Sequence, residues 1–328
     1  MGVRWGVLGT GNIAAQFATD MALYPEGQIT AVGSRSLAVA NAFADRFGVP
    51  GRHGDYLSLV ADDNVDAVYV ATPHTLHEEC ALLAIEYGKP VLVEKPFTVN
   101  AAQAQRVIAA ARDRKVFLME AMWTRFLPHI VLLRELISAG ELGDVRSLTA
   151  DFGELFPFDP EFRAFDPVLA GGALLDLAVY PISLASMILG APRSISAVST
   201  FTTTGVDAQT SVTLSYDGGR MAVVFASIEA KSATRASING TTARIEIEGD
   251  FLAPATMHLI QEEDGSSREY AVPHEGRGLR HQAIEVERCL ADGLLESPVM
   301  SLDETLQIMT TMDEARRQVG LTFPSDSE

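Results

Sequence analysis

The chain has 328 residues, enough for roughly two domains at about 150 residues each. Asp and Glu number 43 against 25 Lys and Arg, so the formal charge is −18 and the surface should repel nucleic-acid phosphates and anionic lipid. Hydrophobic residues at 47% and charged residues at 21% are ordinary for a globular protein and exclude a largely disordered chain.

Cysteine content and hydropathy indicate where the protein resides. Cys80 and Cys289 are far apart and fit neither a disulfide framework nor a thiolate zinc site, so we expect a reducing, cytoplasmic location. The apolar run at the N-terminus is short and broken by glycine, which does not fit a signal peptide. Because no uninterrupted apolar stretch approaches the ~20 residues that span a bilayer, we expect a soluble protein without a membrane partner.

Short apolar strands alternate with amphipathic helices through the first third of the chain. Strands are predicted at 3–8, 28–33, 66–71, 91–93 and 116–119. Between them, Thr75 and Asn100 are expected to cap helices because Glu or Gln follows three residues later. This alternation predicts a parallel sheet of βαβ units, a Rossmann-type domain, over residues 1–122.

Beyond that domain, strands close in sequence and joined by tight turns predict an antiparallel sheet. The predicted strands are 145–153, 194–201, 210–216, 221–229, 243–248 and 256–261. Helices are predicted at about 129–139, 172–189, 279–290 and 303–319. Residues 123–328 are therefore predicted to form an α+β domain with a mostly antiparallel open sheet.

A dinucleotide-binding turn is predicted where the first strand meets the first helix. The segment Gly9-Thr10-Gly11-Asn12-Ile13-Ala14 matches G-x-G-x-x-A in that context. Glycine lets backbone N–H groups approach a pyrophosphate, whose charge is held at the helix N-terminus. The alternative is an ordinary glycine-rich turn, which the strands that follow disfavour.

The end of the second strand favours NADP over NAD. An NAD-specific protein commonly carries Asp or Glu there to hold the ribose 2′-OH, whereas this chain has Ser34-Arg35-Ser36. An arginine and two hydroxyls are suited to a 2′-phosphate. The alternative is that Arg35 only covers the adenine face, which is compatible with either cofactor.

Two further strand ends carry candidate ligand-binding residues. Thr72-Pro73 and Glu94-Lys95-Pro96 both follow buried strands, at the edge where an open α/β sheet binds its ligands. The combination of Glu94-Lys95-Pro96 with the glycine turn resembles the glucose-fructose oxidoreductase/inositol dehydrogenase (Gfo/Idh/MocA) family of NAD(P)-dependent enzymes. The resemblance covers nearly the whole chain.

Later motifs narrow the resemblance to one branch of the family. The segments 120–126 and 171–180 resemble the branch of dimeric dihydrodiol dehydrogenases, NADP-dependent xylose dehydrogenases and glucose-fructose oxidoreductase. Asp176 and Tyr180, at i and i+4, are expected on one helical face. Many relatives carry His at the position of Tyr180, which argues against inositol specificity.

The resemblance implies hydride transfer between a carbinol carbon and the nicotinamide. Lys95 and Tyr180 then form a coherent proton-transfer pair, because a nearby cation stabilises phenolate. Either of the two is a candidate to touch the substrate oxygen, and Asp176 is expected to hold substrate hydroxyls. Their meeting requires a site between the two domains.

These arguments define the expected site. The catalytic residues are Lys95, Tyr180 and Asp176, and with Trp123 they also contact substrate. The expected cofactor residues are Gly9, Thr10, Gly11, Asn12, Ile13, Ser34, Arg35, Thr72, Pro73, His77, Glu94, Lys95, Trp123 and Arg125. His74 and His77 form an H-x-x-H without further ligands, so no metal is expected.

The predicted function is an NADP-dependent oxidoreductase, with NAD as the alternative cofactor, acting on a small sugar, polyol or trans-dihydrodiol. Two alternatives are a sugar oxidoreductase that retains its NADP tightly and a non-catalytic NADP-binding regulator of the same fold. Two-sided burial of the strand at 221–229 predicts a homodimer packed through the second sheet, or a dimer of dimers.

Overall fold

A computed structural model describes residues 2–327. Strands β1–β14 are Arg4–Leu8, Gln28–Gly33, Gly51–His53, Ala67–Val70, Val91–Glu94, Leu118–Ala121, Ser147–Gly153, Ser194–Phe201, Asp207–Ser215, Met221–Ser227, Ala236–Asn239, Ala243–Ile247, Thr256–Gln261 and Ser267–Ala271. Helices α1–α9 are Asn12–Met21, Leu37–Phe47, Tyr56–Val60, His77–Glu86, Ala101–Arg114, Pro128–Ser138, Val179–Leu189, Arg280–Ala291 and Leu302–Val319.

The chain forms two compact units. The first comprises the chain up to Trp123 together with Glu275–Leu306, and the second comprises Thr124–His274 together with the chain from Gln307 onward. The sequence predicts a second domain that contains all of 123–328, and the placement of Glu275–Leu306 in the first unit corrects that boundary.

Long-range hydrogen bonds explain why the later segment joins the first unit. The carboxylate of Asp20, on α1, accepts hydrogen bonds from the backbone N–H groups of Arg277, Gly278 and Leu279 just before α8. About two turns into α8, Glu287 accepts a hydrogen bond from the indole N–H of Trp5 on β1 at 3.1 Å. These donors would otherwise be buried without partners, so the segment is fixed to the first unit.

The first unit contains a six-stranded parallel sheet in the order β3-β2-β1-β4-β5-β6. Its middle strands are buried on both faces, as the continuous apolar runs predicted. Trp5, Phe17 and Tyr69 pack against one another in the core. The predicted Rossmann architecture is confirmed.

Of the two predicted helix caps, Asn100 is confirmed and Thr75 is wrong. Asn100 caps α5, because its side chain accepts from the N–H of Gln103 at 3.0 Å. Thr75 does not cap α4: it lies inside a 3₁₀ turn, His74–Leu76, which runs directly into the helix at His77. Pro73 (φ −57°, ψ 151°) precedes the turn as its N-cap residue, so the turn starts at His74, two residues before the Leu76 at which a Thr75 cap would start it.

The second unit contains an eight-stranded sheet in the order β14-β13-β12-β11-β7-β10-β9-β8. Each adjacent pair is antiparallel except β7 with β10, which is parallel. Along these strands buried residues alternate with more exposed ones, so one face carries the core and the other is open. The predicted mostly antiparallel open sheet is confirmed.

One stretch of the second unit, Pro167–Leu189, is long and apolar enough to cross a membrane by length and composition. This overturns our expectation that no such stretch exists. In the structure 89% of its apolar window is buried, and the stretch is divided into a 3₁₀ turn, a π-helical turn and α7. Its hydropathy therefore matches that of a core helix in a globular domain.

Candidate functional site

The glycine turn of the first unit leaves the start of α1 open. Gly9 has φ +103°, and a Cβ there would lie 2.5 Å from the carbonyl oxygen of Ala71, so only glycine fits this turn. A Cβ on Gly11 would meet no atom within 4 Å. No side chain caps α1, and its first turn has no acidic residue. The free N–H groups of Asn12 and Ile13 and this open approach fit a pyrophosphate.

The loop after β2 presents the residues predicted to select the 2′ substituent. Arg35 and Ser36 are exposed, and Ser34 is partly exposed. The Ser34 hydroxyl accepts from the N–H of Ser36 at 3.4 Å, and its own N–H donates to His53. The loop backbone is therefore held by the sheet while the Arg35 side chain extends into solvent.

His77 links two strand-end loops of the first unit. Its ring is completely buried, with Nδ1 at 2.9 Å from the Pro96 carbonyl oxygen and Nε2 at 3.0 Å from that of Thr72. Burial lowers the pKa of the ring, so the imidazole is neutral and its single N–H donates to one carbonyl. Both nitrogens face the backbone, so His77 positions these loops and has no nitrogen left for a cofactor or metal contact.

The side chain of Glu94 supports the loop that carries Lys95. Its carboxylate is buried and accepts hydrogen bonds from the Tyr69 hydroxyl and from the backbone N–H of Lys95. Lys95 itself is half-buried, and its bond to Pro96 is cis. Each of its two oxygens accepts a hydrogen bond within the protein, so Glu94 helps to position Lys95, and its cofactor contact stays a prediction.

Trp123 is the last residue of the N-terminal segment of the first unit, and its side chain is buried. Its ring is 3% exposed, and the guanidinium carbon of Arg277 lies 5.8 Å from the ring centroid. Arg277 is held there by its backbone bond to Asp20. The cation over the ring is an arrangement worth ~0.5–1 kcal/mol at an exposed site.

Arg125 was expected at the cofactor but is placed inside the second unit. Its guanidinium is 2% exposed and donates to both the hydroxyl and the carbonyl of Ser183 on α7, at 3.0 and 2.9 Å. The structure gives Arg125 a packing role against that helix. A cofactor contact through Arg125 stays a prediction.

Asp176 and Tyr180 lie on the segment that leads into α7. The predicted continuous helix begins instead with a π-helical turn, Leu174–Ala178, followed by α7. Such single turns widen the helix and occur frequently at functional sites. Asp176 lies in the π turn and Tyr180 in the first turn of α7, both almost fully buried.

Asp207 anchors the start of this segment, a role that the sequence did not reveal. Its Oδ2 accepts from the N–H of Leu174 at 2.7 Å and from the Thr210 hydroxyl at 2.6 Å. Its Oδ1 is buried without a hydrogen-bond partner in the described structure, and burial raises the pKa of the carboxyl to about 7. A Cβ on Gly172 (φ +114°) would lie 2.1 Å from Oδ1, so glycine is required beside the carboxylate.

Arg163 forms an ion pair with Asp176. The distance from Nη2 to Oδ2 is 2.9 Å, and the side chains are 51% and 2% exposed, respectively. A buried carboxylate is costly without a partner, and the guanidinium of Arg163 offsets part of the cost of burying Asp176. Sequence patterns do not single out Arg163, since a lone arginine in a loop gives no periodic signal.

Aromatic side chains lie next to Tyr180 and in the loop that follows β7. The Phe152 ring, at the end of β7, lies edge-on to Tyr180 with centroids 5.7 Å apart. In the loop that follows, Phe158 and Phe162 are exposed, and both contact the buried ring of Phe165. The Phe152 ring beside Tyr180 and the exposed rings of the loop offer apolar surface of the kind that small-molecule sites use.

The described residues 2–327 contain no cluster of three or more His, Cys, Asp or Glu side chains that would hold a metal ion. In the second unit the structure brings Asp176, Tyr180 and Arg163 together on one segment and the turn before it. In the first unit it gathers the glycine turn, the Arg35 loop and Lys95 at the carboxyl ends of parallel strands.

Comparison with protein families identifies both units. Residues 3–122 match the model of an oxidoreductase family with an NAD-binding Rossmann fold. Residues 130–246 match the model of the GFO/IDH/MocA C-terminal domain.

Curated relatives match over their full length. The trans-1,2-dihydrobenzene-1,2-diol dehydrogenase of Mus musculus is 39% identical over 338 residues, and that of Homo sapiens is 36% identical over 338 residues, each covering 99% of both chains. These relatives are similar in length to this chain and differ from it at most positions.

Solved structures share the fold. The 3-ketoreductase KijD10 from Actinomadura kijaniata, in complex with NADP and TDP-benzene, matches with a TM-score of 0.85 at 28% identity, covering 97% of this chain and 98% of that one. The aldose-aldose oxidoreductase from Caulobacter crescentus, complexed with glycerol, matches with a TM-score of 0.89 at 22% identity over 98% of both chains. The second likeness is one of fold.

Proposed function

The chain belongs to the Gfo/Idh/MocA family of oxidoreductases, and from this premise we propose that it is an NADP-dependent dehydrogenase or reductase of a small sugar, polyol or trans-dihydrodiol. The observation that carries the proposal is the segment Leu174–Leu189, which buries Asp176 and Tyr180 beside the Phe152 ring. The full-length relatives named as dihydrodiol dehydrogenases support the diol as substrate class.

The residues of the first unit fit the cofactor. The uncapped start of α1 and the open space at Gly11 would hold the pyrophosphate, and Arg35 would pair with the 2′-phosphate. The neighbouring structure of KijD10 contains NADP, which supports the choice between the two dinucleotides. When bound, the nicotinamide supplies or accepts the hydride.

The protein's own part in the reaction is to move one proton and to orient the substrate. We assign the proton to Tyr180 and Lys95 acting as a unit, because an ammonium group stabilises phenolate and makes tyrosine a better base. Asp176 accepts hydrogen bonds from substrate hydroxyls. The Phe152 ring packs edge-to-face against the Tyr180 ring and helps to hold that ring in place.

A homodimer in the cytoplasm completes the proposal. The open face of the second sheet exposes Val198, Phe201, Met221 and Val223 by 39–71%, an apolar patch of the kind that mediates association. Cys80 and Cys289 are free, buried thiols, which supports a reducing compartment.

A spectrophotometric assay tests the function. The purified protein is mixed with NADP or NADPH and a panel of pentoses, hexoses, inositols and cyclic trans-diols or their carbonyl forms, and absorbance of the reduced nicotinamide is followed. We expect turnover with a diol or aldose and less with inositols. Tight NADP binding without turnover of any substrate would instead support a non-catalytic regulator.

A further inference from the structure

We propose that Asp207 is a positioning residue for the reaction: from β9 it holds the start of the π-helical turn and thereby sets the position of Asp176 relative to Tyr180. The proposal rests on the proposed function, because it concerns two residues that carry substrate binding and proton transfer there. It goes beyond that function by giving a part in turnover to a side chain on another element that touches neither substrate nor cofactor.

The helical segment has no cap of its own at its start. Ala173 precedes the π-helical turn, and no side chain at that position accepts a hydrogen bond from it. The first N–H groups of a helix have no partner within the helix and are costly to bury. The N–H of Leu174, which is fully buried, is bound instead by Oδ2 of Asp207 at 2.7 Å. The cap of this segment is therefore supplied from β9.

The geometry of the π-helical turn depends on both of its ends being held. Such turns are rare and occur mostly as single turns within α-helices. At the far end, Pro181 in the first turn of α7 has no N–H for an i→i−4 bond to Leu177, and the residues of α7 from Val179 to Ser186 are all buried. At the near end, the bond from Leu174 to Asp207 is the anchor.

Release of the near end would redirect Asp176. An α-helix turns by about 100° per residue, because it has about 3.6 residues per turn. If the π-helical turn changes to α-helical geometry while buried α7 stays in place, Asp176 rotates about the helix axis and Tyr180 does not. The substrate that Asp176 holds would then be misplaced relative to the Tyr180 hydroxyl, which lowers the rate of proton transfer.

A chain of hydroxyl groups orients the carboxylate of Asp207. The Thr210 hydroxyl donates to the same Oδ2 at 2.6 Å. Because its one proton is used there, Thr210 accepts from the Ser199 hydroxyl at 2.7 Å. Ser199 and Thr210 lie opposite each other in the β8–β9 ladder, so the sheet fixes their spacing. The sheet thus holds the carboxylate that holds the turn.

No second set of bonds compensates if those to Oδ2 are lost. Among residues 2–327, Oδ1 of Asp207 is buried without a hydrogen-bond partner. A Cβ on Gly172 would lie 2.1 Å from Oδ1, and the N–H of Gly172 already donates to the Ala164 carbonyl at 2.9 Å. The position of the turn therefore depends on Oδ2, which makes Asp207 and Thr210 the residues to test.

A double-mutant cycle tests whether Asp207 acts through Asp176. With saturating NADP, kcat/KM is measured for the wild type, Asp207→Ala, Asp176→Asn and the double variant, on the member of the assay panel that the wild type turns over fastest. Asp207→Ala should lower kcat/KM ~10–100-fold, the loss expected when a reacting group is misplaced by about 1 Å. In the Asp176→Asn background the same substitution should cost less than about threefold, because the group that Asp207 positions is already altered.

Hydrogen exchange provides a readout that does not depend on turnover. Peptides covering residues 171–180 should exchange their amide hydrogens faster in Asp207→Ala than in the wild type, because the N–H of Leu174 loses its acceptor. A general loss of stability would instead raise exchange throughout the second unit. Calorimetric NADP affinity should not change.

Three threonine variants complete the test. Thr210→Val removes the hydroxyl and keeps the shape, so kcat/KM should fall ~3–10-fold, the effect of one hydrogen bond, and this variant serves if Asp207→Ala does not fold. Thr210→Ser keeps the hydroxyl and should stay near the wild-type value. Thr311→Val removes a buried hydroxyl whose hydrogen bonds stay within α9 of the same unit, and it should leave kcat/KM and the exchange of residues 171–180 unchanged.

The outcomes separate this proposal from the function on which it rests. Equal losses in both backgrounds of the cycle, or no loss in Asp207→Ala and Thr210→Val, in a wild type that turns over a substrate, overturn the role of Asp207 and leave the function intact. Unchanged exchange at residues 171–180 also overturns that role. A wild type that turns over no member of the panel overturns the proposed function and this proposal with it. A loss that largely disappears in the Asp176→Asn background, with faster exchange confined to residues 171–180, supports the proposal.

Discussion

The carboxylate of Asp207 accepts a hydrogen bond from the backbone N–H of Leu174, at the start of the segment that carries Asp176 and Tyr180. A residue on β9 thereby holds the helical start in place, although 33 positions separate it from its partner. The same carboxylate is buried with one oxygen lacking a partner, so its charge is expensive. The anchor is thus also sensitive to pH.

Substitution of Asp207 by Asn should change how stability depends on pH. Burial raises the pKa of Asp207 to about 7 from 3.8, while Arg316 opposes this rise. A raised native pKa contributes stability that is full below pH ~4 and is lost as the pH rises to ~7. Asn keeps an acceptor for the Leu174 N–H and has no such loss. Between pH 5 and 8 the free energy of unfolding should therefore fall by about 2 kcal/mol more in the wild type than in Asp207→Asn.

Denaturant titrations of both proteins at the two pH values measure this difference. Thr310→Ser, a mild change on α9, gives the reproducibility of the pH effect. Parallel pH profiles for the wild type and Asp207→Asn would mean that Asp207 stays ionised in the folded protein throughout this range.

Tyr180→Phe should lower turnover ~10²–10⁴-fold on a confirmed substrate, because it removes the hydroxyl that exchanges the proton and keeps the ring against Phe152. Turnover of Lys95→Met should fall by a comparable factor. The double variant should lose far less than the product of the two losses, since groups that act as a unit are non-additive. Asp176→Asn should mainly raise KM.

Steady-state kinetics with all four variants, together with calorimetric NADP affinities that stay near the wild-type value, check this scheme. If the loss of turnover in the double variant equals the product of the two single losses, Lys95 and Tyr180 work independently. Near-normal turnover in Tyr180→Phe would make the tyrosine a packing residue.

Arg35→Ala should weaken NADP binding by ~1–3 kcal/mol and leave NAD binding unchanged, because only NADP carries the 2′-phosphate that the guanidinium would hold. Arg114→Ala, which removes an exposed arginine at the end of α5 in the same unit, is the matched control. Calorimetric titration of both cofactors measures the preference, and equal NADP and NAD affinities in the wild type would remove the role given to Arg35.

The open sheet face predicts a dimer that one charge can disrupt. Val223, on β10, is 39% exposed within an apolar patch, so Val223→Lys would place an unpaired charge in the interface. Light scattering should give about twice the 35.3 kDa chain mass for the wild type and the chain mass for the variant. Leu57→Lys, at an exposed position of the first unit, should remain dimeric. A wild-type monomer at micromolar concentration contradicts the prediction.

Helices and strands with a strong local sequence pattern could be predicted. Strands that depend on hydrogen bonds to an adjacent strand could not. The strand at 28–33 and the helix capped by Asn100 follow from apolar periodicity and cap chemistry. The strands Gly51–His53 and Ser267–Ala271 were missed because they are short or polar edge strands, stabilised by hydrogen bonds to an adjacent strand.

The residues of the candidate site also fall into two groups, those that a local motif predicts and those that it does not. The glycine turn and the Asp176–Tyr180 spacing are local motifs and could be read directly. Arg163 and Asp207 act on that segment from other parts of the chain, through a turn and through β9, and a single sequence carries no signal for such pairings. The π-helical turn was likewise unpredictable, since its residues also suit an ordinary α-helix.

The bond between Asp20 and the backbone before α8 has a consequence for biosynthesis. Because proteins are made from the N-terminus, the first unit emerges from the ribosome long before residues 275–306 that complete it. Until then Trp5 lacks Glu287, and Leu118 lacks the carbonyl of Leu295 that its N–H reaches in the finished protein. The first unit is therefore completed only after the whole of Thr124–His274 has been synthesised, and until then the edge strand Leu118–Ala121 has a backbone N–H at Leu118 without its final partner.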